Sequence, residues 1–220
     1  MSENKLAAVL WDMDGVIADT GTYHLQAWQV VFSERGFNYS DEDFRRNFGQ
    51  RNDTIIKKAT GGILPQAEVE AIAAEKEKIY RRKVARNIKP LPGVIKLIKS
   101  LKEHGVKVAV ASSAPLENVQ LIIRGLGIAD CFQAIVWGRE VTEGKPSPQV
   151  FLLAAKRLEI EPANCLVIED AVAGVTAAKR AGMKCVAVTN THPRTKLLEA
   201  DLVVDNLETV SVNKLAGLFD

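Results

Sequence analysis

The sequence repeats one pattern over most of its length: short runs rich in Val and Ile alternate with amphipathic stretches. Such runs are typical of strands that are buried on both faces, as in a parallel sheet covered by helices. They span residues 7–11, 106–111, 134–137, 165–168, 185–188 and 202–204. Repeated strand–helix–strand order predicts an α/β fold with a doubly wound parallel sheet.

The stretches between the later runs carry apolar residues at helical spacing. They predict helices over residues 92–104, 116–126, 147–158 and 171–181. Ser147 followed by Pro148 predicts a helix start, because Ser caps free backbone N–H groups and Pro is tolerated in the first turn. Gly105 and Gly182 each follow a helical stretch, where a left-handed residue is expected.

One region interrupts the alternation, because residues 21–87 contain no convincing strand pattern. Helical spacing is present over residues 23–35 and 68–86. The length of 220 residues corresponds to one and a half domains at about 150 residues per domain. We therefore predict a discontinuous α/β core, residues 1–20 and 88–220, with an all-helical cap, residues 21–87, inserted after the first strand.

Charge and composition argue against several classes of protein. Lys and Arg number 29 and Asp and Glu 27, for a net charge of +2, so no nucleic-acid partner is expected. No apolar run approaches the ~18 residues of a membrane span, and the apolar segment before Asp12 is short for a secretory signal. The odd, scattered cysteines Cys131, Cys165 and Cys185 indicate neither a disulfide framework nor a zinc site. We expect a reduced cytoplasmic protein without a membrane partner.

The strongest chemical signal is the sequence Asp12-Met13-Asp14-Gly15-Val16, directly after the first predicted strand. In open α/β sheets, ligands bind outside the carboxyl ends of the strands. Two residues that are two positions apart can point into the same crevice, and Gly15 permits a tight turn away from it. Taken alone, this motif leaves open that Asp12 is only a turn or capping residue.

Polar residues also follow the other predicted strands. They are Ser112 and Ser113, Lys145, and Glu169 with Asp170. Because parallel strands end at one edge of the sheet, all these groups can converge on one crevice. Clustered carboxylates repel each other unless a hard cation such as Mg²⁺ lies between them. A lysine and a serine hydroxyl beside such a cation suit a dianionic phosphoryl group.

This set of motifs resembles the haloacid dehalogenase superfamily of phosphotransferases. The likeness covers D-x-D-G-V at residues 12–16, the strand-end Ser112, Lys145-Pro146 and Glu169-Asp170, and it spans nearly the whole chain. The position of the helical insert is similar to the cap of the β-phosphoglucomutase-like phosphatase branch. The resemblance implies a Rossmann-like core, and a cap that closes over a small phosphate ester and excludes water.

The resemblance also implies a role for each motif. Asp12 is the nucleophile that forms an aspartyl-phosphate, and Asp14 is the general acid and base. Ser112 binds the transferring phosphoryl group, while Lys145 neutralises it and holds the nucleophile. The implied cofactor is Mg²⁺, because a carboxylate attacks a phosphate only when their mutual repulsion is reduced. Its implied ligands are Asp12, Asp14 through its backbone carbonyl, Glu169 and Asp170.

Substrate contacts are expected from the cap and from Ser113 on the core side. The cap residues are His24, Gly49, Arg51 and Asn52, with packing or helix capping as the alternative for His24. The β-phosphoglucomutase pattern has a Lys before the cap glycine and an Arg three residues after it. Here Phe48 occupies the Lys position, and Arg51 comes one residue early.

A mutase must hold a second phosphate, so this loss of a cation favours hydrolysis. We expect a Mg²⁺-dependent phosphatase acting on a small phosphorylated metabolite, such as a sugar phosphate. The alternative is a β-phosphoglucomutase that interconverts β-glucose 1-phosphate and glucose 6-phosphate.

Other functional classes fit the sequence less well. A haloacid dehalogenase proper lacks the metal and has no acid at the position of Asp14. A response-regulator receiver is shorter, and its acceptor Asp ends a middle strand. A non-catalytic binding protein has no need of Asp14, which is present here. The expected partner is a small-molecule phosphate ester, and the expected oligomeric state is a monomer.

Overall fold

Residues 5–220, which are the part described by the computed structural model, form one parallel sheet of six strands. Their order across the sheet is β3-β2-β1-β4-β5-β6. The strands are β1 (Ala8–Trp11), β2 (Lys107–Ala111), β3 (Ala134–Val136), β4 (Cys165–Glu169), β5 (Lys184–Val188) and β6 (Leu202–Val204). Each lies within one residue of its predicted range, and the doubly wound α/β fold is confirmed.

Helices cover both faces of this sheet. The helices are α1 (Gly21–Ser33), α2 (Asp41–Asn47), α3 (Asn52–Ala59), α4 (Gln66–Val84), α5 (Val94–Glu103), α6 (Leu116–Gly125), α7 (Gln149–Leu158), α8 (Val172–Arg180) and α9 (Val212–Ala216). One apolar layer joins the sheet to α5, α6 and α9, and the other joins it to α7 and α8. In the described part of the chain, no helix is both long and apolar enough to cross a membrane.

Strand geometry decides which residues reach each layer. Successive side chains of a strand point to opposite faces, so Val9 and Trp11 enter one layer while Ala8 and Leu10 enter the other. Trp11 is paired in register with Val110 of β2 and with Ile168 of β4. The residues that follow these three positions therefore emerge side by side at the carboxyl edge of the sheet.

The helix ends agree with the sequence in part. Gly105 and Gly182 adopt the predicted left-handed conformation, with φ of +72° and +73°. The expected start of α7 at Ser147 was wrong, because the helix begins at Gln149 and no side chain caps it. Gln149 instead accepts hydrogen bonds from Thr142 through its side-chain oxygen, and so fastens the preceding loop to the helix.

Helices α1–α4 lie between β1 and β2 and form the region that we call the insert (residues 21–84). The insert has its own apolar cluster, which includes Trp28, Phe32, Ile56 and Ile72. Helix patterns predicted α1 and α4 but missed α2 and α3. The start of α2 has a reciprocal helix cap, which is recognisable in the sequence as Ser40 with Asp43 three residues later. The Ser40 hydroxyl accepts from the Asp43 N–H (3.1 Å), and the Asp43 carboxylate accepts from the Ser40 N–H (3.0 Å).

Candidate active site

The predicted strand-end residues meet where the strand order reverses, between β1 and β4. Asp12 is held by its backbone N–H, which donates to the Ile168 carbonyl (3.0 Å). The Lys145 ammonium, from the loop between β3 and α7, donates to the carboxylates of Asp12 and Glu169. Crevices at such reversal points bind ligands in open α/β sheets, so Asp12, Lys145 and Glu169 form the centre of a candidate active site.

Burial and ion pairing determine the pKa values of Asp12 and Lys145. Removal from water raises the pKa of Asp12 to about 7, and the nearby Lys145 only partly counteracts this effect. Burial by itself lowers the pKa of Lys145, but Asp12 and Glu169 outweigh it and raise that pKa above its usual range. Lys145 therefore remains a cation that is paired with both carboxyl groups.

Glu169 is fully occupied by protein groups. One of its oxygens accepts from Lys145 (2.6 Å), and the other accepts from the backbone N–H groups of Asp170 and Ala171 (2.8 Å each). Its carboxylate lies so close to Gly174 that a Cβ atom there would overlap with it. Glu169 thus anchors Lys145 in this conformation, a different task from the metal ligation expected from the sequence.

Asp170 has a free coordination position. One oxygen accepts from the Thr191 hydroxyl, whereas Oδ1 is buried and has no hydrogen-bond partner within residues 5–220. Burial, with Glu169 and Asp12 adding to it, raises the pKa of Asp170 well above its usual range. Gly15, at φ +84°, lies against this carboxylate, and a Cβ atom there would overlap with it.

The acids do not form a complete metal site by themselves. Among the described residues, no group of three or more His, Cys, Asp or Glu side chains is arranged to hold a metal ion. The reason is the position of Lys145, which occupies the space between Asp12 and Glu169. A cation at this edge would therefore depend on backbone or solvent oxygens in addition to carboxylates.

Asp14 turns away from Lys145 and towards the insert. Its Oδ1 accepts from the Thr20 hydroxyl (2.6 Å), and it lies 3.0 Å from Nε2 of His24. Burial by itself raises the pKa of Asp14, but His24, Thr20 and Lys76 outweigh burial and lower it. Asp14 is therefore ionised in this conformation and links the first strand to the insert.

His24 continues this link to a residue that the sequence did not single out. The Lys76 ammonium of α4 lies 2.7 Å from Nδ1 of His24. Since an ammonium group only donates, Nδ1 accepts, and Nε2 carries the proton that it donates to Asp14. The His24 ring also stacks on Tyr80 (centroids 3.9 Å apart), so His24 both packs and connects polar groups.

Glu77 is a second residue missed by the sequence. Its Oε1 accepts from Lys76 and from Asn52 (2.8 Å each), and its Oε2 accepts from Asn118 of α6 (2.6 Å). Burial by itself raises the pKa of Glu77, but Lys76, His24 and Asn118 outweigh it and lower that pKa. An ionised carboxylate therefore joins the insert to the core.

The composition of α4 gave no indication that Lys76 and Glu77 are buried. Helix α4 is rich in Ala and charged residues, which is typical of an exposed helix. Lys76 is, however, four residues from both Ile72 and Tyr80, and residues at this spacing share one helix face. Both neighbours are buried, so their apolar stripe was the available signal.

The remaining predicted cap residues differ in position. Arg51 is paired with Asp53 (3.2 Å) and donates to the backbone carbonyls of Val141 (2.7 Å) and Thr142 (3.3 Å) of the core. It is therefore a contact between insert and core in this conformation. Gly49 lines the cavity at Asp12.

This cavity, which we call the catalytic pocket, has a volume of about 40 Å³. A water molecule takes up about 30 Å³ of liquid, so the pocket holds little more than a phosphoryl group. All but one of the predicted catalytic and substrate-binding residues line this pocket or contact a residue that lines it. The exception is Arg51. The lining includes Asp12, Asp14, His24, Gly49, Asn52, Lys76, Glu77, Ser112 and Ser113.

The fold and the residues at the carboxyl edge of the sheet indicate the class of protein that the sequence motifs predicted, and comparison with known proteins agrees with this class. The model of the family "Haloacid dehalogenase-like hydrolase" matches residues 9–188. The chain belongs to this family and is an enzyme, as the sequence motifs predicted.

Individual relatives are consistent with this class. The chain is 36% identical to a β-phosphoglucomutase of Bacillus subtilis, over 96% of this chain and 94% of that protein. It is 48% identical to a bifunctional riboflavin kinase/FMN phosphatase of Arabidopsis thaliana, over 97% of this chain and 57% of that protein. A crystal structure of β-phosphoglucomutase from Clostridium difficile has a TM-score of 0.89 at 28% identity and covers 97% of each chain.

Proposed function

We propose that this enzyme is a Mg²⁺-dependent phosphatase that hydrolyses a small phosphorylated metabolite, a sugar phosphate or a similar ester. The reaction proceeds through an aspartyl-phosphate on Asp12. The observation that supports this most directly is the buried contact of Lys145 with Asp12, beside an ionised Asp14 that faces the same pocket.

In the first step, an oxygen of Asp12 attacks phosphorus while the bond to the leaving alcohol breaks. Lys145 and the Ser112 hydroxyl stabilise charge on the phosphoryl oxygens. Asp14, which contacts His24 (3.0 Å), takes up a proton from solvent before the attack, gives it to the leaving oxygen and is then ionised. In the second step, ionised Asp14 removes a proton from the water that attacks the phosphoryl group on Asp12.

The residues present fit a divalent cation. The buried Oδ1 of Asp170 has no protein partner in the described chain, and burial raises the pKa values of Asp12 and Asp170. Mg²⁺ prefers such oxygen ligands and, when bound, supplies positive charge that reduces repulsion between nucleophile and phosphate. We propose Asp12, Asp170 and the Asp14 carbonyl as its ligands, with Glu169 holding Lys145 and Asp12 in position.

The alternative function is β-phosphoglucomutase activity, which the names of two similar proteins favour. A mutase has to accommodate a second phosphate. Arg51 is engaged with Asp53 and with core carbonyls, and Phe48 is apolar. Lys76, which also lines the pocket, is paired with Glu77 (2.8 Å). These observations support hydrolysis.

Product analysis separates the two functions. The enzyme is incubated with β-glucose 1-phosphate, with and without EDTA, and both inorganic phosphate and glucose 6-phosphate are measured. We expect phosphate release that requires Mg²⁺ and is abolished in Asp12→Asn. Glucose 6-phosphate formed without phosphate release would establish the mutase, and EDTA-insensitive activity would contradict the metal proposal.

We further propose that the enzyme acts as a monomer in the cytoplasm, with a small-molecule phosphate ester as its partner. The catalytic pocket is built from residues of one chain, which supports this proposal. Sedimentation equilibrium at assay concentrations measures the oligomeric state, and a dimer with higher specific activity than the monomer would contradict it.

A further inference from the structure

A second cavity adjoins the catalytic pocket, between α4 of the insert and the loop that follows β3 in the core. Its volume is about 580 Å³, within the range of about 300–1,000 Å³ that is usual for ligand sites. We call it the outer crevice. Its walls include Ala74 and Arg81 on α4, and Trp137 and Arg139 on the core side.

The outer crevice is continuous with the catalytic pocket. Asn52, Glu77 and Ser113 line both cavities. The catalytic pocket, at about 40 Å³, is too small for the alcohol portion of a metabolite. A substrate with its phosphoryl group at Asp12 therefore has to extend its alcohol past these three residues and into the outer crevice.

The walls of the outer crevice offer flat, polarisable surfaces. Arg81 hydrogen-bonds to Asn118 with one nitrogen (3.0 Å), which leaves other donors free. Arg139, on the opposite wall, has no ion pair or side-chain hydrogen bond with any residue in the 5–220 range, and it is exposed. Trp137 is half-buried and also lines the crevice on the core side. Guanidinium and indole planes both stack on aromatic rings.

The charges of the outer crevice argue against a second anionic group. Its three arginines are balanced by four acids: Arg51, Arg81 and Arg139 face Asp53, Glu70, Glu77 and Glu117. A strongly anionic ligand would instead need an excess of cations. Planar surfaces without excess charge favour an uncharged aromatic ring.

We propose that the outer crevice is a subsite for the alcohol portion of the substrate, and that this alcohol carries a neutral, planar heteroaromatic ring. Flavin mononucleotide and nucleoside 5′-monophosphates belong to this class of ester. The inference rests on the proposed phosphatase function and specifies the substrate class of the same site.

Two matched substrate pairs test the proposal. Flavin mononucleotide is compared with ribitol 5-phosphate, and uridine 5′-monophosphate with ribose 5-phosphate, because the members of each pair differ by the ring. Stacking of one ring contributes enough to change kcat/KM by about tenfold or more. We expect a ring-bearing ester to exceed its ringless partner by that factor in at least one pair. Equal values within both pairs would overturn the proposal.

Variants locate the effect in the outer crevice. Ala74→Trp fills the space between the walls, and Arg139→Ala removes one stacking surface. Ala71→Trp is the matched control, since Ala71 is exposed on the same helix and is not among the lining residues. We expect Ala74→Trp to lower kcat/KM for the preferred ring-bearing ester about tenfold, while Ala71→Trp keeps the wild-type value. An unchanged ring preference in Ala74→Trp would contradict the subsite.

A binding measurement separates failure of this inference from failure of the proposed function. Riboflavin fluorescence is titrated with wild-type protein, Ala74→Trp and Ala71→Trp, and uridine binding is followed by calorimetry. Saturable binding of either alcohol that only Ala74→Trp weakens supports the subsite, even if no ester is hydrolysed. Hydrolysis of ringless esters without binding of either alcohol overturns the subsite and leaves the phosphatase proposal intact.

Discussion

The core and the insert place their functional groups in different ways. In the core, strand register and backbone hydrogen bonds fix Asp12 and Glu169, whose positions follow from β1 and β4. In the insert, side-chain contacts place His24, Lys76 and Glu77. The comparison favours the proposal that the core supplies the phosphoryl chemistry, while the insert orients Asp14 and selects the alcohol.

The contacts between the two regions are few and polar on the pocket side. Asp14 contacts His24, Glu77 accepts from Asn118, and Arg51 donates to the Val141 carbonyl. Such contacts exchange for water more easily than an apolar interface does. We propose that the insert moves for substrate entry and that these polar contacts are the ones that break.

The largest effect is expected from the core nucleophile. Asp12→Asn removes the charged oxygen that attacks phosphorus, so we expect kcat to fall by at least about 10⁴-fold. Phosphate release under saturating Mg²⁺ measures this loss. Asp19→Asn, in the same segment, is the control; residual activity above one hundredth of wild type in Asp12→Asn would place the chemistry elsewhere.

Lys76 tests the catalytic contribution of the insert. Lys76→Met keeps the length of the side chain but removes the donor that fixes the tautomer of His24, so the hydrogen bond that orients Asp14 weakens. We expect kcat to fall about 10²-fold, typical of lost acid–base assistance, with a smaller change in KM and an altered pH profile of kcat. Lys78→Met is the control, because Lys78 is exposed on the same helix. Equal kcat for both variants would make Lys76 purely structural.

Glu77 tests the stability of the connection between insert and core. Glu77→Gln leaves the buried Lys76 cation without its anion, which lowers the free energy of unfolding by about 3 kcal/mol near neutral pH. The pKa of Glu77 is lowered in the folded state from its usual value of 4.5. Its stabilisation is therefore complete above that value and declines as the pH falls through the folded pKa.

Urea unfolding at pH 7 and at acid pH measures this effect. The difference between the free energies of unfolding of wild type and Glu77→Gln is expected to narrow in acid, because Lys76, the cation paired with Glu77 (2.8 Å), then lacks its anion in both proteins. Glu70→Gln, exposed on the same helix, serves as the reference variant. If the difference in the free energy of unfolding widened in acid, this would contradict an ionised Glu77.

Arg51 is expected to give the smallest effect. Arg51→Ala removes two hydrogen bonds to core carbonyls that water can replace at this partly exposed site, so the net loss is about 1 kcal/mol and the insert shifts towards an open position. We expect KM to change by less than about tenfold and small-angle scattering to report a larger radius. Arg46→Ala, at an exposed site, is the control. A selective loss of mutase activity in Arg51→Ala would instead support a phosphate-binding role.

The fold and the core half of the site were predictable because both depend on local patterns. Buried strands have a recognisable composition; Asp12 and Ser112 directly follow β1 and β2, and Glu169 is the last residue of β4. Helices α2 and α3 were not predicted, because short helices have few turns in which periodicity can be recognised. Arg51 was assigned to the substrate from its spacing, but its contact with the Val141 carbonyl depends on a residue far away in the chain.

The sequence by itself therefore determined the doubly wound sheet, the helical insert and the residues at the carboxyl edge, since strand ends of a parallel sheet necessarily share one edge. Only the tertiary structure decided that Lys76 and Glu77 are buried, that Glu169 holds Lys145, and that an outer crevice adjoins the pocket. The physical reason is burial: the same Lys and Glu are solvated on an open helix, and packing against His24 and Asn118 makes them part of the site.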